Sequence, residues 1–126
     1  MRKYIITPAL LAIVCMVMCH CTFNRKASVA ANEYLIQGEL ANLPDSIVIG
    51  LYEEDGNILN CVLRDTLMNG QFSFRDTVST TRKMLIMSDN RGFPGTWLEV
   101  WIAPGEYIEI KGQDKLVKTW EVVSDV

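Results

Sequence analysis

Residues 97–102 read Trp-Leu-Glu-Val-Trp-Ile. In an extended strand, side chains alternate between two faces, so Trp97, Glu99 and Trp101 fall on one side. Exposed, that trio is a candidate ligand face for a sugar or a peptide. The rings offer apolar stacking area, and the carboxylate between them accepts hydroxyl or amide hydrogen bonds. The opposite row of Leu98, Val100 and Ile102 is apolar as well. A strand apolar on both faces is the pattern of a central strand in a two-sided core, so the sequence favours packed tryptophans and leaves the ligand face as the alternative.

The remaining chemistry-bearing residues are sparse. Asp65, Thr66 and Asp76 raise acid–base catalysis, which needs groups of tuned pKa held together in a cleft, whereas carboxylates near strand ends ordinarily face water. Glu53-Glu54-Asp55 ends at Gly56, and three acids before a glycine are the make-up of a solvated hairpin tip. A calcium loop instead spaces its oxygen ligands at alternating positions. The single histidine, His20, lies in the N-terminal leader, which removes a histidine base for a serine triad and a histidine-based metal site from the rest of the chain. Cys61 sits in an apolar run, Ile58 to Leu63, with Arg64 as its only close cation, and reads as a buried thiol acting as a small hydrophobe. Ser88 to Gly95 is rich in turn formers and reads as a connection between two sheets, with a binding loop as the alternative. No catalytic residue, cofactor site or metal site is expected, and the chain is not read as an enzyme.

The elements that position these residues begin after residue 31. Before it, Met1, Arg2 and Lys3 lead into an uncharged run from Tyr4 to Asn24, followed by Arg25, Lys26 and Ser28-Val29-Ala30-Ala31. That layout is an export signal with an apolar helix, and it separates residues 1–31 from a single domain at 32–126. Three outcomes are open. A lipoprotein peptidase could cut before Cys19 or Cys21 (Cys15 is a third cysteine in the run), with the new N-terminus acylated and held in a membrane. An ordinary signal peptidase could use the small residues at 28–31. An uncleaved run could stay as an anchor. The mature protein is then periplasmic or outer-membrane-associated.

Without residues 1–21, Arg2 and Lys3 are lost from 12 basic residues, leaving 10 against 15 acidic ones and a formal charge of −5. The cations are dispersed among acids, so a nucleic-acid footprint is set aside. Three of the four cysteines precede residue 22, which leaves no internal disulfide framework.

From residue 32 the chain reads as β throughout. Short β-branched and aromatic runs recur at intervals of about ten residues, the spacing of an antiparallel β-sandwich or partly open barrel of about eight strands. The expected strands are 33–40, 46–53, 58–67, 71–76, 82–88, 97–103, 107–111 and 118–123. Gly56-Asn57 and Asn69-Gly70 supply hairpin turns through positive φ, and Ala103-Pro104-Gly105-Glu106 fits a type II turn.

The order of these elements carries a resemblance. Tyr34-Leu35-Ile36-Gln37-Gly38 and Asn42-Leu43-Pro44-Asp45 are followed by Arg64-Asp65-Thr66 with Asn69-Gly70-Gln71-Phe72-Ser73-Phe74. Trp101-Ile102-Ala103-Pro104-Gly105-Glu106 with Ile108-Glu109-Ile110-Lys111-Gly112 completes the series. The chain, over about residues 33–123, resembles the N-terminal β domain of unknown function that precedes thioredoxin-like and AhpC/TSA-type oxidoreductase lipoproteins in Bacteroides-group bacteria. The resemblance implies a non-enzymatic accessory domain that accompanies a thioredoxin-like partner in cis or in trans. The sequence departs from that family after Val126, where the redox domain and its Cys-x-x-Cys would follow, so redox activity does not carry over. Two further readings stand beside this one: the front part of a longer thiol-disulfide oxidoreductase, and a surface lipoprotein that binds a glycan or peptide through the Trp97/Trp101 face.

Overall fold

A computed structural model describes residues 28–93 and 95–124. The leader, with Cys15, Cys19, His20 and Cys21, lies outside the described residues. The turn chemistry sets the strand boundaries. Asn69 and Gly70 both take positive φ (51° and 76°), the type I′ geometry whose twist matches paired strands, and Met68 and Gln71 exchange both backbone hydrogen bonds across it. At the preceding hairpin only Gly56 is positive (63°), with Asn57 in the ordinary region. The turn therefore has a type II′ pattern, in which one glycine suffices. Glu106 N–H donates to the Ala103 carbonyl at 3.1 Å and closes the Pro104-Gly105 turn as expected.

Eight strands result: β1 (Glu33–Leu40), β2 (Val48–Asp55), β3 (Ile58–Thr66), β4 (Gln71–Thr77), β5 (Arg82–Met87), β6 (Leu98–Ile102), β7 (Tyr107–Gly112) and β8 (Glu121–Ser124). They form two four-stranded sheets, β4-β1-β7-β8 and β3-β2-β5-β6, a sandwich-like arrangement with no closed barrel among the described residues. Two expectations are corrected. The sheets are not wholly antiparallel, because β1 and β7 run parallel in register from Leu35↔Tyr107 to Leu40↔Gly112. The stretch expected as a strand from Lys118 begins instead with a single 3₁₀ turn, Val117–Thr119. Trp120 ends this turn, buried over Gly112, with its indole N–H donating to the Asp114 carbonyl at 2.8 Å.

Alternation along each strand fills the space between the sheets. Ile36 and Leu40 of β1, Ile108 and Ile110 of β7, and Phe72 and Phe74 of β4 face Ile49 and Leu51 of β2, Ile86 of β5 and Val100 of β6. The two phenylalanine rings pack tilted, with centroids 5.6 Å apart. Gly38 leaves a gap in the inner row of β1, and the Phe72 ring lies in it. A methyl group at Gly38 would meet that ring, so Gly38→Ala should lower stability by about 1–3 kcal/mol through overpacking, read as a shift in the denaturant midpoint at unchanged slope.

Tyr34 closes one end of the core at 2 % exposure. Burial, reinforced by Asp76 and partly opposed by Arg82, pushes its phenol up to about 12. The folded state therefore holds the proton after an unfolded chain, with a tyrosine pKa near 10, has released it. The stability this contributes is complete below about pH 10 and is lost as pH rises towards 12. Tyr34→Phe should flatten that alkaline fall in a pH series of denaturation midpoints.

Candidate ligand face

β6 occupies the edge of its sheet, paired on one side only, with β5. Its inner row packs inward: Val100 and Ile102 are each 2 % exposed, and Leu98 is half-buried against the core. The other row faces solvent, with Trp97 47 % and Trp101 60 % exposed and Glu99 open beside them. The expectation of a central strand in a two-sided core is thus overturned. A two-layer sandwich gives each strand one buried face, and among the described residues no third layer lies over the outside of this sheet. The tryptophans are apolar surface and not core.

Cross-strand register enlarges the face beyond the three residues singled out from sequence. Lys83 lies opposite Trp101, and Leu85 opposite Glu99. Tyr52 of β2 is the next neighbour of Leu85. Both Leu85 and Tyr52 are buried although they point outward, and the Tyr52 ring lies over Gly50, where a side chain would stand. The Tyr52 hydroxyl donates to Asp89 Oδ2 at 2.8 Å, and burial, followed by that carboxylate, raises its pKa. Lys83 reaches Glu54 at 3.6 Å, and Arg82 pairs with Glu53. The acids expected at a solvated hairpin tip therefore include two that are held by cations of β5. The exposed part of the face is Trp97, Glu99 and Trp101, flanked along the sheet by the buried Leu85 and Tyr52 and rimmed by both charges. Alternation within Arg82–Met87 was the available signal for Lys83 and Leu85, but nothing local says that β5 lies between β2 and β6.

The other candidates separate from this face. Asp65 Oδ2 accepts the Ser73 N–H at 2.8 Å, and Asp76 Oδ1 accepts the Thr77 N–H at 2.7 Å, so these carboxylates satisfy strand backbone. Asp65 and Thr66 also line a shallow hollow together with Glu39, Glu109 and Lys111, which Asp76 does not border. Cys61 is half-exposed, contrary to the buried thiol expected, because it lies on edge strand β3 beside a register shift. Its thiol donates to the Leu63 carbonyl at 3.4 Å. The loop after β5 joins two neighbours within one sheet and not two sheets. Asn90 Oδ1 accepts the Val48 N–H at 2.9 Å, and Ser88 Oγ donates to the Val48 carbonyl at 2.7 Å, pinning the loop to β2. Among the described residues no group of three or more His, Cys, Asp or Glu side chains is placed to hold a metal.

Two features escaped sequence reasoning. A shallow hollow of about 560 Å³ lies on the outside of the first sheet and reaches the end of β3, bounded by Glu39, Asp65, Met68, Ser73, Glu109 and Lys111. The Tyr107 hydroxyl donates to Gln37 Oε1 at 2.9 Å there, and Lys111 lies 3.5 Å from Glu109. This is the solvated face of a sheet, mainly polar with the exposed Met68 at its margin. Glu106, the acid of the Pro-Gly-Glu turn, is buried at 5 % exposure and accepts a hydrogen bond from the Ser124 hydroxyl of β8.

Exposure predicts different costs for two tryptophans. Trp101→Ala should change stability by no more than about 0.5 kcal/mol, the range of surface substitutions, whereas Trp120→Ala should cost about 3–5 kcal/mol. Equilibrium denaturation of both variants checks this, and a comparable loss at Trp101 would return that ring to the core. No family model, curated protein or solved structure matches this chain.

Proposed function

We propose that this chain is an exported, non-enzymatic binding or accessory module of the cell envelope, tethered to a membrane through an acylated Cys19 or Cys21. Its partner-engaging surface is the Trp97–Glu99–Trp101 face. One observation carries the reading: a strand that already buries Val100 and Ile102 also presents two tryptophans to water at 47 % and 60 % exposure. Large exposed rings are enriched where proteins bind and are otherwise avoided on soluble surfaces.

Trp97 and Trp101 are four residues apart, a distance of about 13 Å along an extended strand. The platform therefore matches an extended ligand running along β6, with Glu99 placed between the rings to accept hydroxyl or amide hydrogens. A glycan chain and an extended peptide both fit that description. The resemblance to β domains that precede thioredoxin-like proteins supplies the wider role, an accessory to such a domain in cis or in trans.

The test uses the full-length protein extracted in detergent. Its intact mass should carry the acyl chains of a lipoprotein beginning at Cys19 or Cys21. Tryptophan fluorescence should shift on titration with linear oligosaccharides or with an unfolded peptide, and Trp101→Ala should abolish that response. A response that survives the substitution, or silence to both ligand classes, overturns the face as the site.

A further inference from the structure

The sandwich has four outer strands, and three of them are protected against pairing with another chain. β3 carries a bulge at Val62, where its register with β2 shifts, and has Arg64 and Asp65 just before its end at Thr66. β4 has the Ser73 N–H capped by Asp65 and continues into Arg75 and Asp76. β8 is four residues long and opens with Glu121. These are the devices by which sheet edges are blunted: bulges, charge, capping and brevity. β6 is the least protected of the four, a five-residue strand whose one charge is Glu99. Leu98–Ile102 contains no proline, lysine or bulge, and among the described residues no side chain caps its backbone. Apolar Leu98, Val100, Trp101 and Ile102 lie along it.

We infer that the free edge of β6 pairs antiparallel with β6 of a second copy of this chain, joining two four-stranded sheets into one of eight strands. The sequence of the strand is complementary to itself about Val100. In that register Val100 meets Val100, Leu98 meets Ile102, and Glu99 meets Trp101, so the inner apolar rows continue one another. Shifting the register so that residue 99 meets residue 99 would set two like charges opposite each other, which is unfavourable. On the outer face each Trp101 then lies between Lys83 of its own chain and the carboxylate of Glu99 from the other copy, and this alternates charge across the two-fold axis. One five-residue edge buries less than a standard dimer interface, so the pairing rests on the membrane tether of the proposed function to raise the local concentration. The ring faces stay outward, so pairing doubles the aromatic platform and does not consume it.

The full-length chain is expressed in its membrane with a photo-crosslinking amino acid at position 97 or, as control, at the exposed Ile58 on β3. The expected product has twice the chain mass, forms from position 97 and is absent from position 58. In the chain labelled at 97, Trp101→Glu places two acid pairs across the axis and should lower the product about fivefold, as two like-charge cross-strand pairs imply. Trp101→Gln, which sets no like charge against either Lys83 or Glu99, should retain it. Loss in both variants, equal product from position 58, a product containing a different protein, or no doubled product overturns the pairing. Ligand titration in solution is read separately, so either conclusion can fail while the other stands.

Discussion

The parallel register between β1 and β7 is the constraint on which the rest of the sandwich depends. β1 is bonded on both sides, to β4 and to β7, and Tyr34, Leu35 and Ile36 are buried in it. Parallel neighbours cannot be joined by a hairpin, so the chain must travel away and return before residue 107 can lie beside residue 35. It does so through the opposite layer. β2 and β3 form there, β4 comes back to the free side of β1, β5 and β6 cross again, and β7 returns. Two backbone bonds fix the start of the pairing, from Gly105 N–H to the Glu33 carbonyl and from Leu35 N–H to the Glu106 carbonyl, at 2.7 and 3.0 Å. The Pro104-Gly105 turn is thus the point at which the chain is aimed into the central position.

That circuit explains where apolar surface is spent and where it is left over. With only two layers, each strand has one face inside, and the interior is filled by one row from each sheet. Leu85 and Tyr52 escape water on the outside by packing along their own sheet, the Tyr52 ring taking the space above Gly50. Among the described residues Trp97 and Trp101 have no such neighbour strand beyond them, because β6 ends the sheet. The exposed aromatic strip and the unprotected backbone edge therefore have one origin, the terminal place of β6 in its layer. The acids elsewhere are engaged in structure: Asp65 and Asp76 on backbone N–H groups, Glu53 and Glu54 on cations of β5, and Glu106 on the hydroxyl of Ser124.

What the sequence by itself determined was local. Period-two alternation and turn chemistry located all eight strands to within about two residues, apart from the last, where Val117–Thr119 adopts a 3₁₀ turn before β8. Asn69-Gly70 was legible because φ at those two positions is set by residue type, independent of anything distant. The inner row of β6 was legible as apolar, and so was the outer row, but their ranking was not. Which face is covered depends on how many layers the fold has and on whether β6 is central or terminal. Those are decided by pairings such as Leu35↔Tyr107, between residues more than seventy positions apart. The half-exposed thiol of Cys61, the capping of Ser73 by Asp65 and the neighbourhood of Lys83, Leu85 and Tyr52 around Trp101 follow from the same long-range pairings. Alternation says that a side chain points to one of two faces, and only tertiary structure assigns water to one of them.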